Sequence, residues 1–163
     1  MAVTKIEVLH LNWLTTDRDQ RWLITCPTGG CEEGVRDRDR AAKEALGTGK
    51  YGLVATKVGW GVRCRRRWVL EFAFLHTALN GWNDGHGPFV AQPGSQRSTS
   101  VGDIIKVTRS VRGTVKVAWH LVSSFGFEQI ICTTRQQPTA SVLDDQGSDA
   151  LRLAACYPEL YSW

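Results

Sequence analysis

The stretch from Gln96 to Ile131 most constrains the fold, because its apolar residues alternate with polar ones on both sides of a turn signal. Residues 104–108 and 114–122 follow a period of two, which is typical of β-strands, and the polar residues between them predict a hairpin. A glycine between two phenylalanines, Gly126, predicts a bend before a short third strand over 127–132. In the second strand, one predicted face carries Val115, Val117, Trp119 and Leu121, and the other carries Lys116, Ala118 and His120.

Similar patterns predict the remaining elements. Alternation predicts a first strand over 3–13, a second strand over 21–25 antiparallel to it, and another over 51–58. Residues 32–46 combine an apolar stripe with charged residues and predict a helix. The run over 68–79 is longer than a typical strand and predicts a second, largely buried helix. Its predicted core face contains the residues at helical spacing, namely Trp68, Phe72, Leu75 and Leu79.

These elements predict one α+β domain with a mixed or mainly antiparallel sheet. We expect the two helices to cover one face of that sheet. A chain of 163 residues suits a single domain, which we place at residues 1–132. From residue 133 the composition shifts to Thr, Gln, Pro, Ser and Asp. Residues 133–163 are therefore predicted to be a linker, a short helix over 149–156, and an aromatic tail.

The charge of the chain is unevenly distributed. The whole chain carries +4, while the residues after Gln137 have four acidic side chains against one arginine, or −3, which leaves +7 for the body. A basic body suits an anionic partner, and nucleic acid is the commonest one. Solubility alone would also explain this distribution.

Five cysteines at irregular spacing argue against a disulfide framework. The first residues lack the continuous apolar core of a signal peptide, and no apolar run approaches the roughly 18 residues of a membrane span. We therefore expect a cytoplasmic protein with free thiols and no membrane partner.

The strongest candidate binding feature is a basic cluster beside tryptophans. Arginine forks match phosphate geometry, and tryptophan stacks on bases. A second basic group lies on the predicted hairpin, and the two groups would form one stripe. Alternatively, the arginines belong to a solvated face paired with the acids of the first helix, Glu32, Glu33, Asp37 and Asp39, or they meet an acidic protein surface. The candidate contacts are Trp60, Arg63, Arg65, Arg66 and Arg67 in the first group and Lys106, Arg109, Arg112 and Lys116 in the second.

Signals for catalysis or metal binding are weaker. Cys26 and Cys31 are spaced as two zinc ligands, but no second pair follows them, so a plain turn is the favoured interpretation. Asp84 and His86 lie together in a glycine-rich loop, whose residues are also typical of a tight turn. Together with His120 they define a hydrolase or nuclease hypothesis without a nominated mechanism. No cofactor is predicted.

The segment Arg97–Asp103 reads R-S-T-S-V-G-D, and Ser124–Phe127 reads S-F-G-F. These residues resemble the R-S-x-S-V-G-D and S-x-G-F pattern of YodL-like small proteins of bacteriophages and plasmids, over roughly residues 51–131. The resemblance implies a small α+β accessory protein of a mobile genetic element, and it brings no established activity. From the residues themselves, the motif is interpreted as a turn whose aspartate precedes a buried strand, with a binding site as the alternative.

Three functional hypotheses follow. The first is a non-enzymatic binding or regulatory protein of a phage or plasmid that docks on nucleic acid or a host nucleoprotein complex. An anti-defence role, such as blocking a host nuclease or a CRISPR complex, is one form of it. The second is a structural or assembly protein that uses Tyr157, Tyr161 and Trp163 as interface anchors. The third is the small hydrolase or nuclease.

Overall fold

A six-stranded antiparallel sheet and three helices make up the part of the chain that the computed structural model describes, which is residues 3–26, 32–59, 66–79, 87–94, 97–112 and 114–136. The α+β prediction is confirmed. In chain order the elements are β1 (Val3–Leu11), α1 (Arg18–Thr25), α2 (Glu32–Gly47), β2 (Tyr51–Val58), α3 (Arg66–Ala78), β3 (Val90–Ala91), β4 (Ile104–Val111), β5 (Thr114–Ser123) and β6 (Gly126–Gln136).

The order of the strands across the sheet is β3-β2-β1-β4-β5-β6, and every neighbouring pair is antiparallel. The predicted hairpin and third strand are confirmed as β4, β5 and β6. The bend at Gly126 is also confirmed, since its φ of 127° lies in the left-handed region that favours glycine. β6 continues to Gln136, so the predicted linker at residues 133–136 is part of the sheet. The rest of the predicted tail lies outside the described residues.

The predicted second strand is wrong, because residues 21–25 belong to α1. Asp17 caps this helix by accepting a hydrogen bond from the N–H of Gln20 at 2.8 Å, and Asp19 adds negative charge to its first turn. The apolar run was therefore one side of an amphipathic helix, of which Ile24 is the buried residue. β1 pairs instead with β2 and β4, both of which the sequence did predict as strands.

The predicted placement of both long helices on one face of the sheet is also wrong. Ile104 and Ile105 are neighbours on β4, so their side chains point to opposite faces, and both are fully buried. Ile105 packs in a cluster with Ala73 of α3, while Ile104 packs in a cluster with Ala42 of α2. The sheet is thus covered by α3 on one face and by α1 and α2 on the other.

The two layers are anchored differently. α3 buries Val69, Leu70 and Ala73 against the sheet. α2 buries small alanine side chains and, in addition, the guanidinium of Arg38, which forms a two-pronged ion pair with Glu128 of β6. Arginine buried in this way needs such a partner, because an unpaired charge in the interior is strongly destabilising.

The buried face of α3 differs from the predicted one. Trp68, Leu75 and Leu79 are 65%, 60% and 65% exposed. The core contacts come instead from Val69, Leu70 and Ala73, and of the predicted residues only Phe72 packs against them. Helical spacing alone identifies a stripe but does not determine which of two apolar stripes meets the core.

No described helix is both long enough and apolar enough to cross a membrane.

Candidate functional site

The RSTSVGD motif forms a hydrogen-bonded turn around the fully buried carboxylate of Asp103. Arg97 holds this carboxylate with both guanidinium nitrogens: Nη1 donates to Oδ2 at 2.7 Å and Nη2 to Oδ1 at 2.5 Å. The backbone N–H of Ser100 also donates to Oδ2 at 2.8 Å, and the N–H of Leu11 donates to Oδ1 at 2.9 Å. Asp103 therefore ties the start of β4 to the end of β1.

A second buried chain of hydrogen bonds links this turn to α3. The hydroxyl of Thr99 donates to the hydroxyl of Thr77 at 2.8 Å, and Thr77 in turn donates to the carbonyl of Ala73 at 2.7 Å. The Nε2 of His10 lies 3.1 Å from the Thr99 hydroxyl. Because the Thr99 proton is already committed to Thr77, His10 acts as the donor in this contact.

His10 and Tyr51 keep their uncharged forms at neutral pH. Burial lowers the pKa of His10 to about 4; the Asp103 carboxylate, 3.8 Å from Nε2, opposes this shift, and the Arg97 guanidinium adds to it. Burial also raises the pKa of the Tyr51 hydroxyl, and the charge of Asp103 adds to that shift while Arg97 opposes it. The Tyr51 hydroxyl donates to the carbonyl of Gly102 at 2.8 Å.

Glycine is required at position 102 for two reasons. Its φ of 93° is rarely adopted by other residues, and a Cβ there would lie 2.8 Å from the Cγ2 of Thr25. The N–H of Gly102 donates to the carbonyl of Val122 at 2.9 Å, which fixes the turn against β5. These contacts confirm the structural interpretation of the motif: its residues build the junction between β1, β4, β5 and α3.

The basic residues lie at the opposite end of the same strands. Arg109 of β4 and Lys116 of β5 are directly paired in the sheet register, so their side chains share the face that α3 partly covers. Across this row they are flanked by Thr4 of β1 and Thr134 of β6. Like charges placed opposite each other on a sheet are destabilising, and a bound anion would offset that repulsion.

This cationic pair lines a small open groove of about 100 Å³ beside the first turns of α3. The apolar part of the groove is formed by α3, β4 and β5, and the polar part by β4, β5 and β6. No acidic residue stands in the first turn of α3, so its positive helix end reinforces the cations nearby. The lining residues are Val69, Val107, Arg109, Lys116, Ala118, His120 and Gln129.

Lys106 does not belong to this surface, and the single predicted stripe is therefore wrong. Residues three apart on a strand point to opposite faces, so Lys106 lies on the other side of the sheet from Arg109. Its Nζ lies 2.9 Å from Glu7 and 4.7 Å from the centre of the Trp119 ring. Burial alone would raise the pKa of Glu7, but hydrogen bonds to Lys5 and Lys106 outweigh it and lower that pKa.

The other predicted basic contacts have different environments. Arg67 has an 86% exposed side chain and pairs with Glu71 at 2.7 Å within α3. Arg112 is exposed in the turn between β4 and β5, where its φ is 49°. Arg66 begins α3, but its side chain lies outside the described part of the structure, as do Trp60, Arg63 and Arg65 and the tail residues Tyr157, Tyr161 and Trp163.

Three acids of α2 pair with bases of their own helix. Arg36 lies 3.5 Å from Glu32, Arg40 lies 2.8 Å from Asp37, and Lys43 lies 2.7 Å from Asp39. The predicted alternative, in which these acids neutralise the arginines ahead of α3, involves the side chains of Arg63, Arg65 and Arg66, which lie outside the described part of the structure. α2 also packs on the other face of the sheet from Arg109 and Lys116.

The structure describes only one of the three residues that define the hydrolase hypothesis, His120. Asp84 and His86 lie outside the described residues, and His120 is a buried part of the groove wall. Within the described ranges, no three His, Cys, Asp or Glu side chains come close enough to hold a metal. Cys26 is a free thiol, and Cys31 is not described.

Sequence reasoning did not select Gln129 or Thr134, which border the cationic pair from β6. The alternation of β5 correctly predicted that Lys116, Ala118 and His120 share a face. Identifying their neighbours on β6 requires the register between two strands, and a bulge at Trp119/His120 shifts that register.

No family model matches the chain, and neither a curated protein nor a solved structure matches it. Its function is therefore inferred from the arrangement of its own residues.

Proposed function

We propose that this chain is a non-enzymatic binding protein that docks on nucleic acid through the groove beside α3. The observation that carries the proposal is the cross-strand pair of Arg109 and Lys116, which places two cations side by side on an accessible sheet face. Cross-strand Cβ atoms are typically about 5 Å apart, which allows both side chains to contact one phosphate or two successive phosphates.

An extended anion is a better partner than a small one, because further cations lie along the same end of the molecule. Arg112 is exposed in the adjoining turn, and Arg67 is exposed in the first turn of α3. Arg63 and Arg65 immediately precede α3 in the chain. A phosphate backbone would meet several of these cations at once and release counterions from each contact.

Binding to labelled DNA and RNA, as single strands and as duplexes, measured by fluorescence anisotropy between 50 and 200 mM salt, tests this proposal. We expect affinity to fall steeply with salt. The double variant Arg109→Ala/Lys116→Ala should bind about tenfold more weakly, and its salt dependence should lose about one unit of slope for each removed phosphate contact.

A charge-matched control is available on the opposite layer. Arg36 and Arg40 of α2 are 81% and 78% exposed, and the double variant Arg36→Ala/Arg40→Ala removes the same net charge. It should keep most of the affinity. Equal losses in the two double variants would show a non-specific charge effect, and binding that is insensitive to salt would rule out the phosphate contact.

The resemblance to YodL-like proteins supports a setting in a bacterial host cell, with a host nucleoprotein complex as the physiological form of the partner. Interference with a host nuclease or CRISPR complex is one consequence that such docking would have. Capture from a bacterial lysate, with and without nuclease treatment, distinguishes the two modes of docking. A partner lost after nuclease treatment is held through nucleic acid, and one that remains is held by protein contacts.

A further inference from the structure

α3 carries an apolar face that the described part of the protein leaves exposed. Trp68 and Leu75 are 65% and 60% accessible and lie seven positions apart on one side of the helix, and Leu79, which is 65% accessible, directly follows the last helical residue, Ala78. Phe72 lies between them on the same stripe and packs against Phe89, with ring centroids 6.0 Å apart. We call Trp68, Phe72, Leu75 and Leu79 the α3 stripe. A continuous apolar stripe of this kind usually marks an interaction surface.

We infer that the occupant of the α3 stripe is the C-terminal segment of the same chain, residues 149–163. This segment is predominantly apolar and aromatic, and its first half is predicted to be helical. A short apolar helix followed by aromatic residues suits a helix face of similar length, because side chains from both elements can interdigitate. The apolar residues of the segment are Ala150, Leu151, Leu153, Ala154, Ala155, Tyr157, Leu160, Tyr161 and Trp163.

The chain leaves the sheet at a point from which the segment can reach the stripe. β6 ends at Gln136, which pairs with Thr114 at the hairpin end of the sheet. α3 begins at this same end, since Val69 in its first turns borders the groove with Arg109 and Lys116. β6 and β1 are three strand spacings apart, about 14 Å, whereas residues 137–148 span up to about 40 Å when extended.

Charge complementarity favours the same arrangement and indicates the direction in which the segment runs along α3. The segment and its connection to β6 carry four acidic residues against one arginine, and Asp144, Asp145 and Asp149 come before its apolar part. The start of α3 has no acidic residue in its first turn. The acids would therefore reach the positive end of α3 first, and the apolar residues would continue along the stripe towards Leu79.

Cross-linking in the full-length chain tests this docking directly, because the segment contains a native thiol at Cys156. In the variant Leu75→Cys, a short bismaleimide should join the introduced thiol to Cys156 within one molecule, as identified by peptide mass mapping of the monomer. The matched control is Lys43→Cys on α2, whose side chain is 45% exposed on the other layer. We expect the yield from position 75 to exceed that from position 43 by at least about tenfold.

A second substitution shows whether the stripe itself holds the segment. Adding Leu79→Lys to Leu75→Cys should remove most of the cross-link, whereas adding Trp22→Lys, at a 61% exposed tryptophan of α1, should leave it unchanged. All four positions are exposed, so folding is expected to survive each change. Comparable yields at positions 75 and 43 would overturn the inference. A cross-link formed only between two molecules would assign the stripe to a second copy and would also overturn it.

Discussion

The two ends of the β4–β5 hairpin differ in the environment of their charged side chains. At the Asp103 end, a fully buried carboxylate is held by Arg97 and by two backbone N–H groups. At the other end, Arg109 and Lys116 stand opposite each other on a face that opens into a groove. A buried charge is tolerated only when it is paired, whereas like charges are tolerated where water and salt screen them.

This difference explains why the clearest sequence pattern was not the candidate binding surface. A buried network restricts many positions at once, because every donor and acceptor must find its partner. An anion-binding surface requires only that cations share a face, and many sequences satisfy that requirement. Mutations at the Asp103 end should therefore lower the stability of the protein, whereas mutations at the groove end should weaken only its binding.

The largest effect is expected for Asp103→Ala. This change removes the acceptor of two backbone N–H groups and leaves the guanidinium of Arg97 without its carboxylate. The free energy of unfolding should fall by about 3–5 kcal/mol. Urea denaturation followed by circular dichroism measures it, and a loss below about 1 kcal/mol would mean that the network is not the structural centre of this end.

Gly102→Ala should destabilise the protein by about 2–4 kcal/mol, because it adds both an unfavourable φ and a clash with Thr25. Gly49→Ala is the matched control: Gly49 also has a positive φ, of 70°, but no atom lies within 4 Å of its added Cβ. That control should lose only about 1 kcal/mol. If thermal or urea unfolding shows an equal loss of stability in the two variants, the contact with Thr25 contributes nothing.

Acidification should destabilise the Asp103 end through His10. Its pKa is about 4 in the folded protein and 6.5 when unfolded, so the unfolded chain binds the proton more readily between these values. The stabilisation is therefore complete above pH 6.5 and is lost as the pH falls towards 4, by up to about 3 kcal/mol. The pKa of Glu7 in the folded protein is lowered from 4.5, so its protonation reduces the stability of the protein only below pH 4.5.

The variant His10→Gln keeps a donor for Thr99 and removes the titrating group. Its free energy of unfolding, measured in urea from pH 7 to pH 5, should change much less than that of the parent protein. If both proteins show the same slope over this interval, His10 is not the group responsible.

The smallest effect on stability is expected at the groove end. Arg109→Ala/Lys116→Ala should change the free energy of unfolding by less than about 1 kcal/mol, because Lys116 is exposed and Arg109 is only half-buried. Urea denaturation of this double variant beside Arg36→Ala/Arg40→Ala measures the effect. A loss above about 1 kcal/mol would assign the pair a structural role and would remove the contrast between the two ends.

The sequence alone determined the elements whose signal is local. Alternation over residues 104–132 predicted the hairpin and the strand after it, and it correctly placed Lys116, Ala118 and His120 on one face. The helix over 32–46 and the strand over 51–58 were likewise predicted, because their patterns are long and uninterrupted. Local periodicity suffices for these elements, since the partner of each residue lies a few positions away or across a tight turn.

Only the tertiary structure decided which surfaces meet. The cap at Asp17 made residues 21–25 a helix, although their composition suits a strand. Contact with the sheet selected the side of α3 that carries Val69, Leu70 and Ala73 and left Trp68, Leu75 and Leu79 exposed, since helical spacing does not determine which of two apolar stripes meets the core. The candidate site followed the same rule: strand register joined Arg109 to Lys116 and separated both from Lys106, because the face of each side chain depends on pairing with a distant strand.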